Sequence, residues 1–204
     1  MTVELLKPVP LAALAVELSV DKRGRSAARL SLRLTHEGIE LARATALLLR
    51  VREIDAQVAP PSAPPILPDA SAPFDFPFFQ SDVGYHTAIE LRLARGDFGS
   101  TPTFMWMRPR HPLVEGEVTT GTQRAVICVD SGNGVSPVLD WRRHGFVNPD
   151  VTIALHRPPT GEWIGLDART DVDPATGLGT AHSCMWDLER PFGYGLQSLL
   201  CDPR

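Results

Sequence analysis

Apolar and polar residues alternate with a period of two over most of the chain, so the sequence reads first as strands. Ala28-Arg29-Leu30-Ser31-Leu32-Arg33-Leu34 puts alanine and leucine on one face and arginine and serine on the other. His36-Glu37-Gly38 forms a turn, giving a hairpin into a strand over 39–45. Upstream, residues 14–20 predict another strand, which ends at Asp21-Lys22-Arg23-Gly24. Residues 3–51 thus predict an antiparallel meander without an amphipathic helix. Further on, alternation predicts strands over 85–94, 103–108, 151–156, 163–172, 179–187 and 192–201.

One stretch breaks the period. Residues 118–130, VTTGTQRAVICVD, predict a helix that Thr119 or Thr120 can cap and that Ala125, Val126, Ile127 and Val129 make apolar enough to bury. Ser131-Gly132-Asn133-Gly134 is expected to end it, with a glycine free to take a left-handed cap. Between the meander and the second group of strands the composition changes to QVAPPSAPPILPDASAPFDFP. Proline at this density excludes helix and central strand and predicts an extended linker. Phe74, Phe76, Phe78 and Phe79 imply that its second half packs on a domain.

A weak internal repeat links the two ends. Leu5-Leu6-Lys7-Pro8 shares its pattern with Leu155-His156-Arg157-Pro158, and Ala44-Thr45-Ala46-Leu47-Leu48 aligns with Leu196-Gln197-Ser198-Leu199-Leu200. The chain is therefore divided into a partial unit at 1–55, a Pro-rich linker at 56–80 and a complete unit at 81–204.

Composition narrows the function classes. The 204 residues are 43% hydrophobic and 22% charged, ordinary for a globular protein able to bury a core. A net charge of −4 gives no nucleic-acid surface. No apolar run approaches the roughly 20 residues of a membrane helix, and MTVELLKPVP lacks the pattern of a signal peptide. Cys128, Cys184 and Cys201 form no CxxC pair and read as reduced thiols, so a cytoplasmic location is expected. The six histidines show no ligand spacing, so no metal site is expected.

Three motifs carry a resemblance: AVICVDSGNG, FVNPDVTIALHRPPTGEWIGLDART and the closing GYGLQSLL. Together with the apolar helix and the antiparallel run, they make the chain similar to the double hotdog thioesterases of the acyl-CoA thioesterase II type. The resemblance implies an α+β hotdog fold, an antiparallel sheet wrapped around a central helix in two tandem copies, the first lacking its front strand and helix. It implies hydrolysis of acyl-CoA to a fatty acid and coenzyme A, with no cofactor beyond the coenzyme A of the substrate. The family's catalytic aspartate, threonine and glutamine fall on Asp130, Asn148 and Gln197, with asparagine standing in place of the threonine. Arg157, Arg142 and Arg143 are candidates for the coenzyme A phosphates. A homo-oligomer is expected, because an incomplete first copy leaves apolar surface to cover.

The chemistry of these residues supports that assignment. Of the three, only Asp130 can accept a proton; the two amides offer donors and an acceptor each, so the set can hold and activate one water. The oxyanion would be met by Gln197 or by a main-chain N–H. Ser131 and Cys128 have no evident histidine partner, which leaves no case for a covalent route. Each residue also has a structural reading. Asp130 can close a helix end, Asn148 precedes Pro149 as a turn residue, Gln197 can face solvent, Arg157 can belong to a turn, and Arg142 and Arg143 can form a solvated corner. Asp150 reads as structural. A non-catalytic acyl-CoA binding module is the alternative function, and a hydratase would want a histidine on the helix, where none falls.

Overall fold

The computed structural model describes residues 1–59, 64, 66–79 and 81–204; the parts of the expected linker at 60–63, 65 and 80 lie outside the described residues. The strands are β1 (Thr2–Leu5), β2 (Ala15–Arg23), β3 (Ala27–His36), β4 (Ile39–Leu49), β5 (Ala72–Phe74), β6 (Ile89–Arg95), β7 (Thr103–Pro109), β8 (His144–Val147), β9 (Asp150–Leu155), β10 (Ile164–Asp173), β11 (Leu178–Trp186) and β12 (Pro191–Pro203). They join in one sheet of order β2-β3-β4-β1-β9-β12-β11-β10-β7-β6-β5, with β8 paired to the far part of β12. Among the described residues, a 3-10 turn at Pro68–Ala70 and the short α-helices α1 (Tyr85–Ala88), α2 (Gly121–Val129) and α3 (Gly132–Val135) complete it.

The inner face of the sheet packs on α2. Ala125, Cys128 and Val129 of that helix are buried with Met105, Met107, Ile164, Leu166, Ala168 and Met185 of the strands beneath it. Alternation places Phe104 and Trp106 on the opposite face, in a second cluster with Trp163 and Trp186. The Pro-rich segment serves both faces. The Ile66 carbonyl accepts from Trp106 Nε1 at 2.7 Å on the outside, whereas Phe76 is buried in the main core and stacks with Phe78 at 5.0 Å. Pro73 sits on β5, an edge strand, where a missing N–H is tolerated.

Chain order and sheet order reveal the repeat. β1, β4, β3 and β2 run outward on one side of the β1·β9 pairing, and β9, β12, β11 and β10 run outward on the other. The register differs by one residue from the alignment of sequence patterns. Leu5 pairs with Ala42 and Val3 with Ala44, as Leu155 pairs with Gly193 and Ile153 with Gly195. Aligning Leu5 with Leu155 therefore puts Ala46, not Thr45, at the position of Gln197.

Two local expectations are corrected. Residues 85–88 form a helical turn rather than the start of a strand, because the Thr87 hydroxyl bonds both the N–H and the carbonyl of Gly84 and the Ala88 N–H closes on the same carbonyl. The stretch 131–134 is not a left-handed cap. Asp130 (φ −63°, ψ −16°) stays right-handed and the chain continues into α3, since a side chain from β12 satisfies the Asn133 N–H that a left-handed closure would otherwise have to accommodate.

Candidate active site

α2 is fixed at its start by Thr120, whose hydroxyl accepts from the Gln123 N–H at 3.2 Å while Gln123 Oε1 accepts from the Thr120 N–H at 2.7 Å. Ten residues later the helix delivers Asp130 to its C-terminal end. Asn148 lies in the two-residue link between β8 and β9, and Gln197 points inward from β12. These three residues, up to 67 positions apart, meet at one carboxylate oxygen. Asn148 Nδ2 donates to Asp130 Oδ1 at 2.6 Å, and Gln197 Nε2 donates to the same oxygen at 3.1 Å and to the Asp130 backbone carbonyl at 2.8 Å. Among the described residues Asp130 Oδ2 has no hydrogen-bond partner, and the residue is exposed. One carboxylate oxygen is thus held by two amides and the other is available to a water.

The support behind the site is more rigid than its front. Gln197 is 2% exposed, and its Oε1 accepts from the Asn133 N–H at 3.2 Å. A Cβ added at Gly132 would lie 2.8 Å from Gln197 Oε1 and 3.0 Å from Ser183 Oγ, so only glycine allows this approach. Ser136 Oγ donates to the Gly132 carbonyl at 2.9 Å and shares a hydrogen bond of 2.9 Å with Thr170, which pins α3 to β10. Tyr85 bridges α1 to the end of α2, with its hydroxyl 3.0 Å from the Ile127 carbonyl and 2.8 Å from Ser131 Oγ. Burial pushes the Tyr85 hydroxyl well above its usual range, with nearby Cys128 and Asp130 adding to the shift, so it acts as a neutral strut. Sequence reasoning missed Gly132, Asn133 and Tyr85; the run Gly132-Asn133-Gly134 was the available signal, but it looked like a helix terminator.

The other candidates lie apart from this centre. Arg157 makes a two-pronged ion pair with buried Asp187, at 2.7 Å on both arms, and gives its remaining donors to the carbonyls of Pro158, Arg190 and Pro191. Its five N–H groups are committed, leaving none for a phosphate. Burial alone would raise the Asp187 carboxyl, but the Arg157 guanidinium and the N–H groups of Thr160, Arg190 and Glu189 hold it far below the usual carboxylate range. Arg142 and Arg143 are exposed in the turn before β8, with the Arg142 guanidinium 4.8 Å from the Trp141 ring centre. Cys128 is fully buried, which drives its thiol well above the usual range, and Ser131 is 8% exposed and tied to Tyr85; neither is placed as a nucleophile. Asp150 accepts from the N–H and hydroxyl of Ser198, at 2.8 and 3.2 Å, and locks β9 to β12.

An apolar cavity of about 20 Å³, room for a single water, is lined by Phe78, Asn133, Trp141, Phe146, Val172 and Cys201. Phe146 and Asn148 are two residues apart along an extended stretch, about 7 Å.

Residues 61–201 match the family profile described as the acyl-CoA thioesterase C-terminal domain. The chain belongs to that family. Solved thioesterases confirm the fold. The tesB protein of Mycobacterium avium subsp. paratuberculosis aligns with a TM-score of 0.72 at 14% identity, over 99% of this chain and 77% of its own. A putative thioesterase II from Thermobifida fusca gives 0.74 at 15%, over 98% and 77%. The acyl-CoA thioesterase II TesB2 of Mycobacterium marinum gives 0.68 at 15%, over 100% and 79%. A comparison with curated proteins finds no match. The α+β architecture of this thioesterase-family chain is accordingly the hotdog fold, with α2 enclosed by antiparallel strands. No helix among the described residues is long and apolar enough to cross a membrane.

Proposed function

We propose that this protein hydrolyses acyl-CoA thioesters with a water activated directly by Asp130. The observation that carries the proposal is the convergence of the Asn148 and Gln197 amides on Asp130 Oδ1, which leaves Oδ2 open on the solvent side. A water bound there gives its proton to the carboxylate as its oxygen attacks the thioester carbonyl. The carbon–sulfur bond then breaks, the coenzyme A thiolate takes the proton from Asp130, and the acyl group leaves as the carboxylic acid. No cofactor is needed beyond the coenzyme A of the substrate.

Geometry refines the roles of the two amides. Both Gln197 amide hydrogens are directed to Asp130, so Gln197 positions the base and does not serve the oxyanion. Asn148 uses one amide hydrogen on Asp130; its second, or a main-chain N–H, is left for the developing oxyanion. Arg142 and Arg143, exposed on the turn before β8, are the remaining candidates for phosphate contacts.

The test is hydrolysis of a panel of acyl-CoAs from acetyl to palmitoyl, followed by thiol release. Asp130→Asn is expected to lower kcat by at least about a hundredfold, the low end of a positioned base. Unchanged hydrolysis in Asp130→Asn overturns the mechanism. Saturable acyl-CoA binding without turnover by the unaltered protein would replace the hydrolase with a binding module.

A further inference from the structure

At its C-terminal end α2 tightens, and the chain then resumes as α3. In a regular α-helix the Ser131 N–H would bond the Ile127 carbonyl, four residues back. Here it bonds the Cys128 carbonyl, three residues back, at 3.0 Å. Helical bonding returns with the Val135 N–H on the Ser131 carbonyl at 2.9 Å. Asp130 lies at the joint.

The joint presents two backbone groups to Gln197. A continuing helix would direct the Asp130 carbonyl at the Gly134 N–H and the Asn133 N–H at the Val129 carbonyl. Instead the carbonyl accepts from Gln197 Nε2 at 2.8 Å, and the N–H donates to Gln197 Oε1 at 3.2 Å. The amide is thereby gripped at both ends, and so held its second hydrogen reaches Asp130 Oδ1 at 3.1 Å.

The same tightening takes from the Ile127 carbonyl the partner that a regular helix would give it. The Tyr85 hydroxyl stands in, donating to that carbonyl at 3.0 Å. A phenol carries one hydrogen, so in the 2.8 Å contact with Ser131 Oγ it is Ser131 that donates. Tyr85 therefore holds both sides of the altered turn: the carbonyl that lost the Ser131 N–H, and the side chain of the residue that withdrew it. Its own footing is firm. At the end of α1 the Ala88 carbonyl accepts from the Arg110 N–H at 2.8 Å, and the next residue, Ile89, is 3% exposed.

We propose that Tyr85 is a positioning residue for Asp130: its hydroxyl holds the tightened turn over residues 127–131, and through that turn it sets the Gln197 amide on the carboxylate. This rests on the hydrolytic role proposed for Asp130.

The test is a double-mutant cycle between Tyr85→Phe and Gln197→Ala, read by acyl-CoA hydrolysis at a temperature where all variants are folded by circular dichroism. Backbone amide exchange supplies a readout independent of turnover. Tyr85→Phe is expected to lower kcat about tenfold with KM within about twofold of the parent, because the hydroxyl is spent on protein groups and its loss displaces only the base. In the Gln197→Ala background the same change is expected to lower kcat by less than about twofold more, since the link through which Tyr85 acts is already gone. Exchange of the Asn133 N–H is expected to speed up at least about tenfold in Tyr85→Phe while the amides of β10 and β11 keep their parent rates. An unchanged kcat in Tyr85→Phe, an equal loss in both backgrounds, or parent-like exchange at Asn133 overturns the proposal. So does faster exchange throughout β10 and β11, which would mean a general loosening of the core. A parent chain that hydrolyses no acyl-CoA overturns the reaction assigned to Asp130, and exchange at Asn133 then decides by itself whether Tyr85 holds the turn.

Discussion

Gln197→Ala and Asn148→Ala remove the same chemical group from the same carboxylate and are expected to fail differently. Gln197 is 2% exposed and makes three hydrogen bonds, to the Asp130 carbonyl, to Asp130 Oδ1 and from the Asn133 N–H. Truncation leaves a carbonyl and a buried N–H without partners, at about 1 kcal/mol or more each, and adds a cavity, for a total of about 3 kcal/mol. Asn148 is half-buried and makes one bond, to Asp130, on the solvent side of the site. Water replaces it, so the expected cost is below about 1 kcal/mol. In a chain of this size these values correspond to a fall in Tm of about 9 °C for Gln197→Ala and of less than about 3 °C for Asn148→Ala. Activity should not follow that order. Asn148→Ala, which strips one anchor from the base and a donor from the oxyanion, is expected to lower kcat about a hundredfold in a protein that is otherwise intact. Thermal denaturation followed by circular dichroism, set beside acyl-CoA hydrolysis on the same preparations, separates the two effects. A Tm loss for Asn148→Ala equal to that of Gln197→Ala, or an unchanged Tm for Gln197→Ala, refutes the division of roles.

Three further outcomes follow from single contacts. Gly132→Ala places a Cβ 2.8 Å from Gln197 Oε1, so the amide must move off Asp130; kcat is expected to fall, by up to about a hundredfold for a displacement near 1 Å, with KM little changed. An unchanged kcat would show that the site yields without cost. Asp187→Asn strands the Arg157 charge and is expected to cost about 3 kcal/mol at pH 7 in urea denaturation. The Asp187 carboxyl is depressed in the folded state, so its contribution is complete above its unfolded pKa of about 4 and is lost as pH falls toward the folded value. The variant should therefore show a shallower loss of stability between about pH 5 and 3 than the parent, and a parallel loss would count against the ion pair. Burial raises the Cys128 thiol, so mass spectrometry after native alkylation at pH 8 should find Cys128 unmodified; early labelling there would mean that α2 opens.

The long strands were legible because their alternation is regular, whereas the short strands β5 and β8 and the order of strands in the sheet were not; the one helix that fills the core was legible because its apolar run breaks that alternation. The candidate site was read through family resemblance more than through its residues. β12 shows why. Gly193, Gly195 and Gln197 face inward while Leu196 and Leu200 face outward at 49% and 46% exposure, so the outer face is the more hydrophobic by letter. Nothing in that pattern says on which side the glutamine lies. Arg157 was ambiguous for a related reason: its partner Asp187 is 30 residues away, and only the folded chain shows that every donor is used. The course of the chain after α2 depended on a contact of the same kind, the Gln197 side chain reaching the Asn133 N–H from a strand 64 positions later.

Register decides what the first half of the chain can do. Aligned by residue pattern, Thr45 falls on Gln197, and the N-terminal strands look like a second site with a polar residue retained. Strand pairing moves the correspondence by one position, and in a structure of period two one position exchanges the faces of the sheet. Thr45 then lies on the outer face, paired with Thr2, whose hydroxyl meets Thr152 at 2.9 Å, while aliphatic Ala46 takes the inner place. The sheet thus carries one design twice with different content. Around β12 it bears Gln197 and Ser183 and meets a helix that ends in Asp130; around β4 it bears Ala46 and Leu32 and offers only a surface to pack against. A carboxylate brought to that second surface would find no amide on the inner face of β3 or β4 to hold it.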